Sequence, residues 1–121
     1  IDFDLKVPRN FKIYNDEAPT LVFNQEKETE EGNVKFIKIS KENFTEELMQ
    51  KLYENQIQSV LLEGGSRTIQ TFIDQNLWDE VIIIKNENLL LENGTIAPKF
   101  NGKSTEEKFF RDNKLVIFRN T

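Results

Sequence analysis

The sequence predicts an α/β fold in which helices alternate with the strands of a largely parallel sheet. From Val34 onward, segments with strand and helix patterns follow one another in the order strand, helix, strand, helix, strand. Two of these strands, at residues 57–63 and 81–84, are apolar on both faces, which is typical of strands that are covered on both sides. The turn Gly64-Gly65 joins the first of them to a helix. This strand, turn and helix form the centre of the predicted fold.

The amino-terminal third contains few regular elements. Residues 1–19 include Pro8 and Pro19 and show no apolar period, so we expect mostly connecting chain there. Residues 20–24 are a short strand candidate. The charged residues 25–31 predict a solvated loop. Apolar and polar residues alternate over 34–39, as expected of a strand with one face towards solvent.

Two amphipathic helices are predicted. The first covers residues 43–56, with Asn43 as its cap and Glu46 in the position of a capping box. The second covers residues 66–75, with Ser66 available as its cap. The apolar residues that we expect to face inward are Phe44, Leu48, Leu52 and Tyr53 on the first helix, and Ile69, Phe72 and Ile73 on the second.

The last third combines a long irregular segment with a hairpin. Residues 88–100 contain Asn93-Gly94 and Pro98, which predicts a loop that either covers a ligand or packs on the surface. Residues 108–111 and 115–119 predict a closing antiparallel hairpin with its turn at Asp112-Asn113.

Composition limits the chemistry that this chain can perform. It has 121 residues, the length of one modest domain or part of one, and no cysteine or histidine. Disulfides, thiolate zinc sites, Ser-His-Asp triads and cysteine nucleophiles are therefore excluded for this chain, and we predict no metal site. The net charge of −5 and the scattered cations argue against nucleic-acid binding. The apolar runs are too short to span a membrane, and we expect a cytoplasmic protein.

The Gly64-Gly65 turn has the features of a phosphate site. It precedes the amino end of a helix, where unpaired N–H groups and aligned peptide dipoles favour an anion, and glycine lets a ligand approach the backbone. The alternative is a packing turn in which the glycines only permit a close contact between helix and strand. Glu63 ends the apolar strand, where it would face the ligand crevice of an α/β sheet.

Several motifs together resemble the reductase domain of the bifunctional riboflavin-biosynthesis deaminase/reductase. They are Leu62-Glu63-Gly64-Gly65-Ser66, the pair Asp79-Glu80 after the second helix, and the segment from Gly94 to Phe100. The resemblance covers most of the chain, including the strand at residues 20–24 and the final hairpin. It implies a dihydrofolate-reductase-like fold with a mixed sheet flanked by helices.

The resemblance also implies an activity and a set of roles. The family uses NADPH to reduce the ribose of 5-amino-6-(5-phosphoribosylamino)uracil. By the match of motifs, Glu63 lies at the substrate's pyrimidine, and Gly64, Gly65 and Ser66 lie along the cofactor phosphates. Arg67 is a further cation there, with a plain surface arginine as the alternative. Asp79 and Glu80 are structural in this interpretation, and no residue is assigned as catalytic.

Two departures from the family pattern affect these expectations. Glu92 stands where the family usually has a glycine, two positions before Gly94. The family's domain also begins well before the residue matching Ile1, so we expect residues 1–121 to be the carboxyl-terminal portion of a single reductase domain, with its first strands and any deaminase domain absent. We expect a homo-oligomer. The alternatives are a non-catalytic packing or dimerisation module and a related reductase that acts on a pterin-like substrate.

Overall fold

Two α-helices and six strands form in the computed structural model, which describes residues 1–121. The chain divides into two units, Ile1–Val60 and Leu61–Thr121, each with its own three-stranded sheet. This combination confirms the α/β class, and it is compatible with a small dihydrofolate-reductase-like domain.

The first unit contains a mixed sheet. Its strands are β1 (Thr20–Asn24), β2 (Thr29–Glu31) and β3 (Val34–Lys38). They lie in the order β1-β3-β2, with β1 parallel and β2 antiparallel to β3. The predicted strands at 20–24 and 34–39 are confirmed. The prediction of a plain loop at 25–31 is wrong in part, because residues 29–31 pair with β3 although all three are exposed.

The core of this unit gathers around Phe36, which is 1% exposed. Val22 and Val34 pack with it. The guanidinium of Arg9 and the ammonium of Lys27 lie over its ring, at 5.0 and 3.9 Å from the centroid. Glu31 pairs with both cations, and the hydrogen bond from Lys27 lowers the pKa of its carboxyl group. The two charged chains thereby cover an aromatic ring that the small sheet alone would leave open.

Helix α1 (Phe44–Glu54) starts as predicted, but not through the predicted cap. Asn43 is the N-cap residue, yet its side chain makes no capping hydrogen bond, and its backbone (φ −116°, ψ 33°) lies outside the extended region that such caps use. Glu47, and not Glu46, ties the helix to the preceding chain by accepting the N–H of Ser40 over 2.8 Å. Thr45 and Leu48 form the buried face, and Tyr53, which we expected to face inward, is 78% exposed.

The second unit begins with a helix and ends with an antiparallel sheet. It contains α2 (Ser66–Asp74), β4 (Glu80–Asn86), β5 (Glu106–Phe110) and β6 (Asn113–Arg119). The strand order is β4-β6-β5, and both pairs are antiparallel. The second helix and the closing hairpin are thus confirmed. The turn is one residue earlier than predicted, since Phe110 pairs with Asn113 and leaves Arg111 and Asp112 between the strands.

The largest disagreement concerns residues 57–63, which form no strand. Val60 and Leu61 are 53% and 82% exposed, and no other segment pairs with this stretch. A strand requires a neighbour for its backbone groups, and an apolar composition alone does not supply one.

The prediction that β4 is parallel and buried on both faces is also wrong. It pairs on one edge only, antiparallel to β6, while Ile82 and Ile84 are 51% and 66% exposed. Because successive residues of a strand alternate between faces, one face of β4 is covered and the other is open.

Candidate functional site

The turn Gly64-Gly65 leads directly into α2 and is open to solvent. Gly64 has φ +140°, a conformation that residues with a side chain rarely adopt, whereas Gly65 has φ −53° and ψ 140°. A Cβ atom added to either glycine would meet no atom within 4 Å. Neither glycine makes a close helix–strand contact in this chain.

Gly65 is also the N-cap residue of α2, so the prediction that Ser66 caps the helix is wrong. Ser66 is instead the first residue inside the helix, and no side chain caps this end. The Gly65 carbonyl accepts the N–H groups of Thr68 and Ile69 over 3.0 and 3.3 Å. The N–H groups of Gly65, Ser66 and Arg67 have no acceptor within the chain. Three donors at the positive end of a helix are thus available to an anion.

The charged residues on either side of the turn are exposed and unpaired. Glu63 precedes it and Arg67 follows it, and neither side chain forms an ion pair or hydrogen bond in the chain. The five predicted site residues, Glu63 to Arg67, therefore form one accessible segment. Glu63 does not stand at the carboxyl end of a strand, because the strand expected before it is absent.

Helix α2 is held in place by contacts on the side away from this turn. Phe72 is 6% exposed. The side chain of Gln70 bonds the backbone of Lys99 twice, accepting its N–H over 2.7 Å and donating to its carbonyl over 3.2 Å. These two hydrogen bonds attach helix α2 to the backbone of Lys99. The free N–H groups lie at the amino end of the same helix.

Asp79 and Glu80 have the structural role that we predicted. The Asp79 carbonyl accepts the N–H of Asn120 over 2.8 Å. Glu80 accepts the Nε–H of Arg119, its cross-strand partner, over 3.1 Å. Both residues thus fix the passage from α2 into β4.

Residues 87–105 form the predicted irregular segment. Its first turn is organised by Asn86, whose side-chain oxygen accepts the N–H groups of Asn88 and Leu89 over 3.0 Å each. Leu90 and Ile96 are 90% and 83% exposed. Phe100, at the end of the predicted loop, packs against Trp78 and Phe118. That the loop covers a ligand stays a prediction.

One concave feature was not anticipated from the sequence. A groove of about 290 Å³ lies on one face of the second sheet, away from the glycine turn, with Lys85 and Lys114 at its edge. The only sequence signal is the alternation of β4 and β6, which puts Ile83, Lys85, Lys114 and Val116 on one face.

Two further findings concern classes of site. No cluster of three or more acidic side chains is placed to hold a metal ion. Neither α-helix has the length and apolar character that are needed to cross a membrane.

Comparison with known proteins identifies a family and a relative. A family model described as the RibD C-terminal domain matches residues 1–116. The chain is also similar to the riboflavin biosynthesis protein RibD of Aquifex aeolicus (strain VF5), with 28% identity over 108 residues. That alignment covers 85% of the chain and 27% of the relative, so the chain spans well under half of that protein's length.

Proposed function

The chain belongs to the family of RibD C-terminal domains, and on that premise we propose that it is part of a reductase of riboflavin biosynthesis. The proposed reaction is the NADPH-dependent reduction of the ribose of 5-amino-6-(5-phosphoribosylamino)uracil. The family match and the similarity to RibD support the pathway. The open glycine turn at the start of α2 supports a nucleotide cofactor.

The residues at the turn fit the phosphates of NADPH. The N–H groups of Gly65, Ser66 and Arg67 are free to donate to an anion at the start of α2, and the missing Cβ atoms at Gly64 and Gly65 leave room for it. Arg67 adds a positive charge within the same segment. The cofactor, when bound, supplies the hydride, and the chain's own residues bind and orient the phosphates.

Glu63 is the residue that we assign to the substrate. Its carboxylate is exposed and unpaired, so it is available as a hydrogen-bond acceptor for the N–H groups of a pyrimidine. Its position next to the proposed phosphate site would put the substrate base and the cofactor on neighbouring residues. The contribution of Glu63 is positioning, which hydride transfer requires because the reacting atoms must be held close together.

The proposed enzyme is larger than this chain. We place residues 1–121 in the carboxyl-terminal portion of one reductase domain, in a protein that is cytoplasmic and homo-oligomeric. The exposed apolar residues at 57–63 and the unpaired edge of β4 each leave backbone groups that further strands of the intact domain would pair with.

The observation that carries the proposal is the open Gly64-Gly65 turn with its free N–H groups in a chain of this family. The test is NADPH oxidation by the intact protein with the phosphoribosylaminouracil, with a pterin-like compound as the competing substrate. Turnover of the phosphoribosylaminouracil alone is expected. If only the pterin-like compound is turned over, the substrate is a pterin and not the phosphoribosylaminouracil. If the protein binds no nicotinamide cofactor, the reductase proposal is wrong.

A further inference from the structure

The groove on the second sheet is lined by both apolar and polar side chains. Its apolar part consists of Ile83 from β4 with Val116 and Phe118 from β6, and its polar part of Lys85, Ser104, Glu107 and Lys114. Its volume of about 290 Å³ is close to the lower end of the range for ligand pockets, roughly 300 Å³. The groove contains none of the residues at the glycine turn.

An aromatic wall closes one side of the groove. The ring of Phe100 packs edge-on against Phe118, with 4.7 Å between the ring centroids, and against Trp78 at 5.1 Å. A Cβ atom at Gly102 would come within 2.8 Å of the Phe100 ring, so any other residue at this position would displace the ring. The wall is thus fixed by packing before any ligand arrives, which reduces the entropy lost on binding.

The rim carries an unbalanced positive charge. Lys85 and Lys114 are direct cross-strand partners, an arrangement that is unfavourable for like charges. Glu107 pairs with Lys114 over 3.0 Å. Lys85 has no carboxylate partner in the chain, and the hydroxyl of Ser104, also at the rim, makes no hydrogen bond within it. An anion at this rim would gain an ammonium and a hydroxyl donor and would relieve the repulsion between the lysines.

We propose that this groove binds a small planar aromatic carboxylate, with the ring on Ile83, Val116 and Phe100 and the carboxylate at Lys85. The apolar part of the groove and the fixed aromatic wall select a flat ring. The single unpaired ammonium and the neighbouring hydroxyl select one anionic group.

The experiment is a titration of the 121-residue chain with naphthoate and with neutral naphthamide, followed by backbone amide chemical shifts. Naphthoate is expected to shift the amides of Ile83, Lys85, Gly102 and Val116, and to bind the unaltered chain more tightly than naphthamide. Lys85→Met is expected to weaken naphthoate binding by about two- to fivefold, as for an exposed ion pair, and to leave naphthamide unchanged.

Lys108→Met is the matched control. Lys108 lies on the opposite face of the same sheet, opposite Leu115, and pairs with Glu106 over 2.8 Å. The Lys108→Met variant should bind naphthoate with the same affinity as the unaltered chain. Equal affinities for naphthoate and naphthamide in the unaltered chain would overturn the proposal, and this comparison needs no variant to fold. Shifts confined to Ile82 and Ile84, on the open face of β4, would also overturn it.

Discussion

Gly64 and Gly65 are neighbours with open space beside both of them, but only Gly64 has a backbone conformation that requires glycine. Gly64 has φ +140°, and Gly65 has φ −53°. A Cβ atom would meet nothing within 4 Å at either position. The fold of this chain therefore accounts for Gly64 through its backbone, and for Gly65 only through the modest preference for glycine at an N-cap position. A ligand that approaches the backbone would supply a further reason.

Alanine substitutions should separate the two glycines. Gly64→Ala is expected to lower the free energy of unfolding by about 1–3 kcal/mol, because it forces a side chain into a strained backbone region. Gly65→Ala should cost less, about 0.5–1 kcal/mol at most, since its conformation is allowed and no neighbour is displaced, and the loss of a favoured N-cap residue is partly offset by the stiffer unfolded chain. Urea unfolding of the two variants measures the difference. Equal losses of stability would show that Gly65 is also a structural glycine.

Asn24, at the end of β1, is a second residue whose substitution has a defined cost. It is fully buried, and its Oδ1 accepts the N–H groups of Glu26 and Lys27 over 2.8 and 2.7 Å. Its Nδ2 donates to the Lys27 carbonyl over 3.0 Å and to the Ile37 carbonyl over 3.3 Å. Asn24→Ala is expected to destabilise the chain by about 2–3 kcal/mol, because several buried backbone groups lose their partners at once.

Asn33→Ala is the control for this substitution. Asn33 is exposed, and its side chain makes a single hydrogen bond, to the Asp16 carbonyl over 2.8 Å. Its loss should cost about 0.5–1.5 kcal/mol in the same unfolding measurement. If Asn24→Ala is no more costly than Asn33→Ala, the buried network does not hold the end of β1.

The sequence predicted best those elements whose signals are local. Helix α2, strand β1 and the closing hairpin depend on apolar spacing and turn residues within a few positions, and all three are confirmed. The caps were less predictable. Asn43 and Ser66 have the right side chains, but the N-cap role also requires a particular backbone conformation, which residue type alone does not determine.

The failures occurred where a prediction depended on a distant partner. The apolar stretch at residues 57–63 and the run of isoleucines in β4 have the composition of buried strands. Burial and pairing require a neighbouring segment, and in this chain residues 57–63 have none while β4 has one. The site segment, by contrast, was predictable as a unit, because Glu63 to Arg67 are consecutive. The groove on the second sheet was not predictable, because its residues come from three strands and a loop.

Glu63 is expected to affect turnover more than cofactor affinity. In the intact enzyme, Glu63→Gln keeps the shape of the side chain but removes its charge and replaces one acceptor oxygen with a donor. We predict a lower kcat/KM for the phosphoribosylaminouracil and little change in the Kd of NADPH. Steady-state kinetics and a cofactor titration measure both. Unchanged turnover with lost cofactor binding would reverse the role that we give to Glu63.

The 121-residue chain by itself is expected to show no reductase activity even when it is folded. In the dihydrofolate-reductase-like arrangement that we propose, a strand from outside this chain forms one wall of the cofactor crevice. The chain should also self-associate, because Ile82 and Ile84 lie on an exposed face of β4, whose second edge is unpaired. Sedimentation and an NADPH-oxidation assay test both points. A stable monomer that oxidises NADPH with the substrate would refute this prediction.

The most direct test of the proposed cofactor site is the NADPH affinity of the intact protein carrying Gly65→Val. The branched side chain would occupy the space through which the phosphate approaches the N–H groups of Gly65, Ser66 and Arg67, while no atom of the chain lies within 4 Å of the new Cβ. The account predicts a Kd for NADPH raised by about tenfold or more, for a loss of about 1.4 kcal/mol or more of binding free energy. The free energy of unfolding should fall by no more than about 1–2 kcal/mol, the cost of a poor N-cap residue. An unchanged Kd in a variant whose unfolding temperature falls steeply would contradict it, since Gly65 would then serve the fold and not the cofactor.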